Sequence, residues 1–478
     1  MWRVVKKLYR EVGSCVKLGE EKTDWFSLEV GLRQGCILSP VLFSIFIDRL
    51  AEEVKKVGGA LYRGILVSLL LFADDIVLVA DSPKMLQKML DVVYRYSRKY
   101  RFKFNQEKSN IMIFGRRGKA KFYLGGNELK IVKRYKYLGL VLDQKFSWRE
   151  HLDRVYEKAR KRMKALCGLG LKQGVSARAV LRGWEVLVRP ILEYGAEIWG
   201  EKKWEIGERL QREMGRRVLG VSKMTTNEVV QGELGLCSIR SRRVLLRVKF
   251  WSKILKMEKS RLVYRIYRAR REEFMEGGNR DKKNWCYWTW KALKELHLEH
   301  IWISEKIPEA SKFSKLVSEL LKNKEEREWR EGIEKKEKLR TYRKLKSELK
   351  LEKYVVELDR EKRRYLTMLR GGTNNLRIDV GRRKNLRKEE RVCLACLCEE
   401  IEDEKHFLLS CPMYVRERVE MFKKIREKCE LEHVERLDED SQLNVLIGIG
   451  WRNKEQELRE IVLEYIRKAL DIRKRLVP

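Results

Sequence analysis

The stretch Leu69-Leu70-Leu71-Phe72-Ala73-Asp74-Asp75-Ile76-Val77-Leu78-Val79-Ala80 sets two adjacent carboxylates between two wholly apolar runs. Read over residues 65–80, it predicts a buried hairpin with an acidic turn. Neighbouring carboxylates repel each other and lose hydration in such a setting, so the pair makes most sense where cations neutralise it. Hard oxygen ligands on a rigid hairpin suit Mg2+, and two such ions about 4 Å apart are what in-line phosphoryl transfer uses. For an isolated Asp-Asp pair the ordinary reading is a polar turn, because turns favour Asp. The surrounding sequence decides between the two.

On either side stands a marked helix. Ser39 and Pro40 read as N-cap and first helical residue, with Leu42, Ile45, Phe46, Leu50 and Val54 following at helical spacing. Ser82 and Pro83 repeat the start signal, and Leu86, Met89, Leu90, Val93, Tyr94 and Ser97 form the inward stripe. Strand patterns follow over residues 109–114, over 121–132 with a Gly125-Gly126-Asn127 turn, and over 136–143. The order helix, hairpin, helix, strands predicts an α+β domain over residues 1–143.

Several segments then fall into one order. Gly31-Leu32-Arg33-Gln34-Gly35-Cys36-Ile37-Leu38-Ser39-Pro40 precedes Phe72-Ala73-Asp74-Asp75; Phe104-Asn105-Gln106-Glu107-Lys108-Ser109 and Tyr137-Leu138-Gly139 follow it. In order, spacing and apolar flanks, this set resembles the palm of reverse transcriptases from non-LTR (LINE-type) retrotransposons. The resemblance implies that Asp74 is a catalytic metal ligand with Asp75 its neighbour. It also implies that Arg33, Gln34 and Gly35 line the incoming nucleotide and template, that Lys108 lies near the nucleotide's phosphates, and that Tyr137, Leu138 and Gly139 lie near the primer end. Taken singly, these positions read as a tight turn, a surface lysine and an ordinary strand; the ordered set carries the resemblance.

From Trp148 onward the period becomes helical, with Gly168, Gly170 and Gly220 at expected helix ends. The whole is expected to be an α+β partial polymerase palm (1–143), followed by a mostly α-helical thumb (144–236) and a basic helical connector (237–370), with a small zinc knuckle region (371–420) and a helical tail (421–478). Residues 189–199, Arg-Pro-Ile-Leu-Glu-Tyr-Gly-Ala-Glu-Ile-Trp, are similar to a helical segment these polymerases carry after the thumb, and their expected role is packing. The charge-dense stretch 322–364 reads as a long exposed helix, and Gly371-Gly372-Thr373-Asn374-Asn375 as a break.

Cys393, Cys396, His406 and Cys411 form C-x2-C-x9-H-x4-C, one complete set of soft ligands with no open position, as structural zinc sites are built. Cys398 competes as a ligand on spacing alone. The set also resembles the CCHC knuckle near the C-terminus of LINE-type polymerases. Arg382, Arg383, Lys384, Arg387, Lys388 and Arg391 just before it are expected to supply phosphate contacts. His151, His297, His300 and His433 show no partner pattern.

Composition agrees with a long polyanionic partner. The 478 residues carry 108 Lys and Arg against 70 Asp and Glu, a formal charge of +38. RNA and DNA as template and primer are the expected partners, with a deoxynucleoside triphosphate as substrate, Mg2+ and Zn2+ as ions, and no membrane. The N-terminus lacks the apolar core of a signal peptide, and the longest apolar stretch breaks at Asp74 and Asp75, where a spanning helix needs about 20 residues. These features predict an intracellular protein, nuclear or cytoplasmic. The ten Cys, six of them scattered singly, exclude a disulfide framework.

The family's palm completes its two-ion site with a further carboxylate upstream of the Gly31 block. Asp24 is the sole Asp there and reads as a turn residue, while Asp48 lies on the helix after Pro40. The expectation is therefore a polymerase fragment inactive by itself, with a non-catalytic RNA- or DNA-binding protein as the alternative.

Overall fold

The computed structural model describes residues 2–10, 12–28, 31–33, 35–115, 120–172, 175–200, 204–277, 284–396, 398–429, 434–448 and 455–477. They form two compact units, Met1–Ser147 and Trp148–Pro478. Among the described residues no helix is long and apolar enough to cross a membrane.

The first unit opens with α1 (Trp2–Leu8) and four two-residue strands, β1 (Gly13–Ser14), β2 (Lys17–Leu18), β3 (Glu21–Lys22) and β4 (Phe26–Ser27). Then come α2 (Ser39–Val57), β5 (Ala60–Tyr62), β6 (Ile65–Val67), β7 (Leu69–Phe72), β8 (Asp75–Leu78) and α3 (Pro83–Lys99). It closes with β9 (Asn110–Ile111), β10 (Tyr123–Leu124), β11 (Asn127–Glu128), β12 (Lys130–Ile131), β13 (Arg134–Tyr137) and β14 (Leu140–Asp143). Every described sheet has two strands, and only β9 with β12 is parallel.

The core of this unit lies between α2 and α3. Ile47, Leu50 and Val54 meet Met89, Leu90, Val93 and Tyr96, and Ile111, Phe122, Leu124 and Leu129 close the cluster. On α2 the inward face runs through Phe43, Ile47, Leu50 and Val54, so Ile45 lies out at 67% exposure, and Phe46 is not in the buried stripe. Ser39 does not cap α2: Leu38 holds the N-cap position, and the Ser39 hydroxyl donates instead to the Arg33 carbonyl at 2.8 Å. Ser82 does cap α3, accepting from the Met85 amide at 3.2 Å. Its stripe runs through Met89, Leu90, Val92, Val93, Tyr96 and Ser97, with Tyr94 turned outward.

Residues 65–80 are not one buried hairpin. Ile65–Val67 pairs back onto β5 around Arg63-Gly64, both at positive φ, and β7 pairs with β8 alone. A two-stranded ribbon covers only one of its faces, so alternate residues stay wet and Phe72 is 61% exposed.

The second unit is helical. Its first half holds α4 (Arg149–Lys172), α5 (Ala177–Gly183), α6 (Arg189–Glu193), α7 (Ala196–Trp199), α8 (Glu205–Leu219), α9 (Asn227–Leu234), α10 (Ile239–Leu255), α11 (Leu262–Gly277), α12 (Trp285–Lys294), α13 (Glu299–Ser304) and α14 (Ala310–Glu334). Then follow α15 (Arg340–Leu345), α16 (Lys353–Glu357), α17 (Arg360–Arg370), α18 (Arg377–Arg383), α19 (Val415–Cys429), α20 (Glu439–Ile447) and α21 (Glu455–Leu476). Gly220 ends α8 at φ 72° as expected, whereas Gly168 and Gly170 lie inside α4. The stretch 322–364 is broken after Glu334 into short helices, and Trp329, Ile333, Leu339 and Tyr342 from it form a core with Val229. A larger core gathers Trp251, Tyr267, Phe274, Trp302 and Phe313.

The packing role of residues 189–199 has a chemical basis. Buried Arg243 of α10 lies over the Trp199 ring at 5.5 Å and the Trp204 ring at 5.9 Å, and Trp285 donates its indole N–H to the Glu197 carbonyl at 2.7 Å. A guanidinium stacked on indoles keeps its charge stabilised where water cannot reach it.

Candidate functional site

The β7–β8 register pairs Phe72 with Asp75, leaving Ala73 and Asp74 as the turn, with Ala73 at φ 50°. Asp74 thus stands at the tip and Asp75 begins the returning strand, and both carboxylates are exposed. Residues 136–143, read as one strand, instead belong to the β13–β14 hairpin, with Leu138 and Gly139 at φ 45° and 83°. Two successive positive-φ residues fit the twist of a two-residue hairpin loop. The signal available in the sequence was Gly139, one residue from the centre of an apolar run. Burial pushes the Tyr137 hydroxyl above its usual range, and the charge of Asp75 adds to this.

Lys108 lies in the turn before β9. Its amide donates to Asn105 Oδ1 at 3.1 Å, its carbonyl accepts from the Tyr135 hydroxyl at 3.0 Å, and its side chain is exposed. Arg33 is exposed and offers its carbonyl to Ser39; Gly35 sits at φ 81°. No hydrogen bond or ion pair among the described residues joins Arg33 or Gly35 to Asp74 or Asp75, and Gln34 lies outside the described residues. Among the described residues no further carboxylate joins the Asp pair into a three-ligand group. Asp24 is exposed between β3 and β4, and Asp48 is exposed on α2.

The four residues of the Cys/His pattern do converge. One ligand atom each from Cys393, Cys396, His406 and Cys411 lies within 4.8 Å of the others, three of the residues being buried. A short β-bridge between Val392 and Ile401 presents the first two thiols, with the Cys393 amide donating to the Glu400 carbonyl at 2.8 Å. A π-helical turn, His406–Ser410, supplies the imidazole and leads directly into Cys411. His406 directs Nε2 at the Cys396 thiol, 3.4 Å away, while Nδ1 meets the Glu400 carboxylate at 2.7 Å. A carboxylate on the far ring nitrogen fixes the tautomer that leaves Nε2 free as a ligand. Hydrogen bonding from Cys411, and then from His406, holds the Cys393 thiol down to about 3. The donor set, three thiols and one imidazole with no open position, fits zinc. Cys398 is exposed, donates to the Cys396 carbonyl at 3.4 Å, and is not one of the four.

The cluster is anchored to the helices around it. Buried Glu402 accepts from the Arg377 amide at 2.6 Å and from Arg473 of α21 at 2.5 and 2.7 Å. Buried Glu404 accepts from Thr341 at 2.9 Å and Asn374 at 2.8 Å, and pairs with Arg340. The Tyr465 hydroxyl donates to the Leu408 carbonyl at 2.9 Å.

The basic run before the cluster is largely committed to the chain itself. Arg382 and Arg383 pair with buried Asp379, Arg387 with Glu390 at 3.0 Å, and Arg391 donates to the Leu386 carbonyl at 2.8 Å. Of the six, Lys384 and Lys388 have no side-chain partner among the described residues. His151 is buried with its ring edge-on to Trp199 at 5.7 Å, a core histidine, and His433 lies outside the described residues.

Comparison with known proteins bears chiefly on the first unit. The family described as reverse transcriptase (RNA-dependent DNA polymerase) matches residues 2–142. The chain is 23% identical over 209 residues to the RNA-directed DNA polymerase from mobile element jockey of Drosophila melanogaster, covering 42% of this chain and 22% of that protein. It is 32% identical over 149 residues to the Pol polyprotein of a type-2 retrotransposable element of the same fly, covering 28% of this chain and 14% of that one. A Pol polyprotein from a type-1 retrotransposable element of Popillia japonica is 30% identical over 137 residues, covering 26% and 23% of the two chains. The matched stretch therefore spans less than a quarter of each of these relatives. Residues 2–142 thus match the reverse transcriptase family, and over that part of its length the chain is similar to the polymerases of these retrotransposable elements.

Proposed function

We propose that the chain is part of an RNA-directed DNA polymerase, with residues 1–143 as palm, 144–236 as thumb, 237–370 as connector, 371–420 as zinc knuckle region and 421–478 as tail. The observation that carries the reading is the Asp74-Asp75 turn between β7 and β8, inside the segment that matches reverse transcriptases. Asp74, with Asp75 next to it, would hold Mg2+, which when bound supplies charge stabilisation for the transferring phosphoryl group. Tyr137 stays protonated at neutral pH and keeps a neutral surface at the primer end. Gly35, with φ 81° and no side chain, would let backbone approach the nucleotide closely, with Arg33 and Gln34 lining the nucleotide and template and Lys108 near the nucleotide's phosphates.

Asp74 and Asp75 are joined by no further carboxylate among the described residues, so we read this site as one ligand short and the chain alone as unable to extend a primer. Primer extension on an RNA template with Mg2+, with Asp74→Asn as control, tests this. No extension is expected from either protein; extension that the substitution abolishes would show that the site is complete after all. A second reading, a non-catalytic RNA- or DNA-binding protein, is favoured by the Cys/His cluster and the +38 charge. Zinc-dependent binding of RNA in the absence of any extension would favour it.

A further inference from the structure

A cleft of about 370 Å3 lies between α10 and the start of α14 in the second unit. Lys249, Lys253 and Lys256 line it at helical spacing, so they share one face of α10, and its lining includes no acidic residue. None of the three has an ion-pair partner among the described residues. Lys253 and Lys256 at the end of α10 would complement that helix's dipole, but this does not account for Lys249, one to two turns earlier, or for the rest of the lining.

Ser252 is 5% exposed, lines the cleft, and has no hydrogen-bond partner among the described residues. The hydroxyl itself is not sealed off; it opens onto the cleft, where it can donate to a ligand. Ser314 adds a second unengaged hydroxyl from the other wall. The 25-residue α14 begins here, and no side chain caps its first turn, so its leading amides have no acceptor from a cap. The Glu309 carboxylate before it is held by Ser311 at 2.6 Å and Lys312 at 3.5 Å and does not line the cleft. The floor is apolar, with Phe313 and Val317 sealed.

We propose that this cleft binds a phosphate group, with the three ammonium groups supplying charge and Ser252, Ser314 and the α14 amides supplying directed hydrogen bonds. The phosphate can come from a polynucleotide backbone or from a free phosphate or nucleotide. The inference does not rest on the polymerase reading, since neither measurement below requires nucleotide incorporation.

The test uses the full zinc-loaded chain. Binding of a labelled single-stranded RNA is followed across a salt series, and thermal melting is compared in inorganic phosphate and in chloride at equal ionic strength. The cleft pair Lys249→Gln/Lys253→Gln is set against Lys315→Gln/Lys322→Gln, which removes equal charge from exposed positions of α14 outside the cleft. A fall of about 0.7 in the log–log salt slope, one phosphate's share on a single strand, in the cleft pair alone supports a polynucleotide backbone as the source. An unchanged slope, with phosphate raising the melting temperature of the unmodified chain and not of the cleft pair, supports a free phosphate or nucleotide. Equal behaviour of the two pairs in both assays overturns the proposal. Ser252→Ala keeps the charge and should weaken whichever response is seen; if it leaves that response unaltered, net charge explains everything and no built site exists.

Discussion

Glu233 and Arg370, 137 residues apart in sequence, meet at 3.0 Å with both side chains sealed from solvent. Arg370 also donates to the Ile447 carbonyl at 2.7 Å and lies over the rings of Tyr342 and Tyr354 at 6.0 and 5.7 Å. One guanidinium therefore ties α9, α17 and the end of α20 together.

Removing one partner of a sealed pair leaves the other charge uncompensated, at a cost of about 3–5 kcal/mol. Glu233→Ala should lower the urea-unfolding free energy of the second unit by that order, and the paired change Glu233→Leu/Arg370→Met should recover most of it. A loss under about 1 kcal/mol in the single variant would mean that Glu352, 3.9 Å from Arg370, takes over the pairing.

Zinc content separates the cysteines. Native mass spectrometry should find one ion per chain in the unmodified protein and in Cys398→Ser, and none in Cys411→Ser. Glu400→Gln, which weakens the hold on His406 Nδ1, should retain the ion with an affinity lower by about 10- to 100-fold, measured by competition with a chelator. Retention of zinc in Cys411→Ser would move the ligand set to Cys398.

Burial holds the His151 imidazole below its ordinary value. Because the folded-state value is the lower one, its contribution to stability is present above about pH 6.5, the unfolded value, and is lost as pH falls through the folded value. Urea unfolding measured at descending pH from 7.5 should therefore lose stability by up to about 1.4 kcal/mol per pH unit from this group. His151→Phe keeps an aromatic edge against Trp199 and should flatten that slope; an unchanged slope would assign the pH dependence to other groups.

Two glycines should respond in opposite directions to alanine. Gly139 sits at φ 83° in the β13–β14 turn, and a Cβ there should cost about 1–2 kcal/mol, seen as faster hydrogen exchange of the amides in residues 134–143. Gly168 lies exposed within α4 with nothing within 4 Å of an added Cβ, so alanine there should stabilise by about 0.5–1 kcal/mol in calorimetry.

What could be read from sequence was what depends on near neighbours. Ser82-Pro83 announced α3, and the spacing of Cys393, Cys396, His406 and Cys411 announced their convergence, because cap and knuckle are made within a few residues of chain. The acidic turn at Asp74 was legible for the same reason. The face of α2 was misread because Ile45 and Ile47 are equally apolar, and only the partner helix decides which is covered. The turn at Leu138-Gly139 was missed because its flanks read as one continuous strand. Glu233 with Arg370, and Arg243 over Trp199, were beyond sequence reading altogether: nothing local to an arginine in a charged run marks it as the one that will be buried. The charge-dense stretch 322–364 concealed a core for the same reason, its Trp329 and Tyr342 being outnumbered by lysines and glutamates.

Glu402 and Glu404 fasten the Cys/His cluster to Arg473 on one side and to Thr341 and Asn374 on the other, and Tyr465 fastens it from below. A grip mounted this way has no swivel. Cluster and α21 share one footing, so whatever loosens the four ligands, loss of a metal included, should be felt at Arg473 and Tyr465 as well.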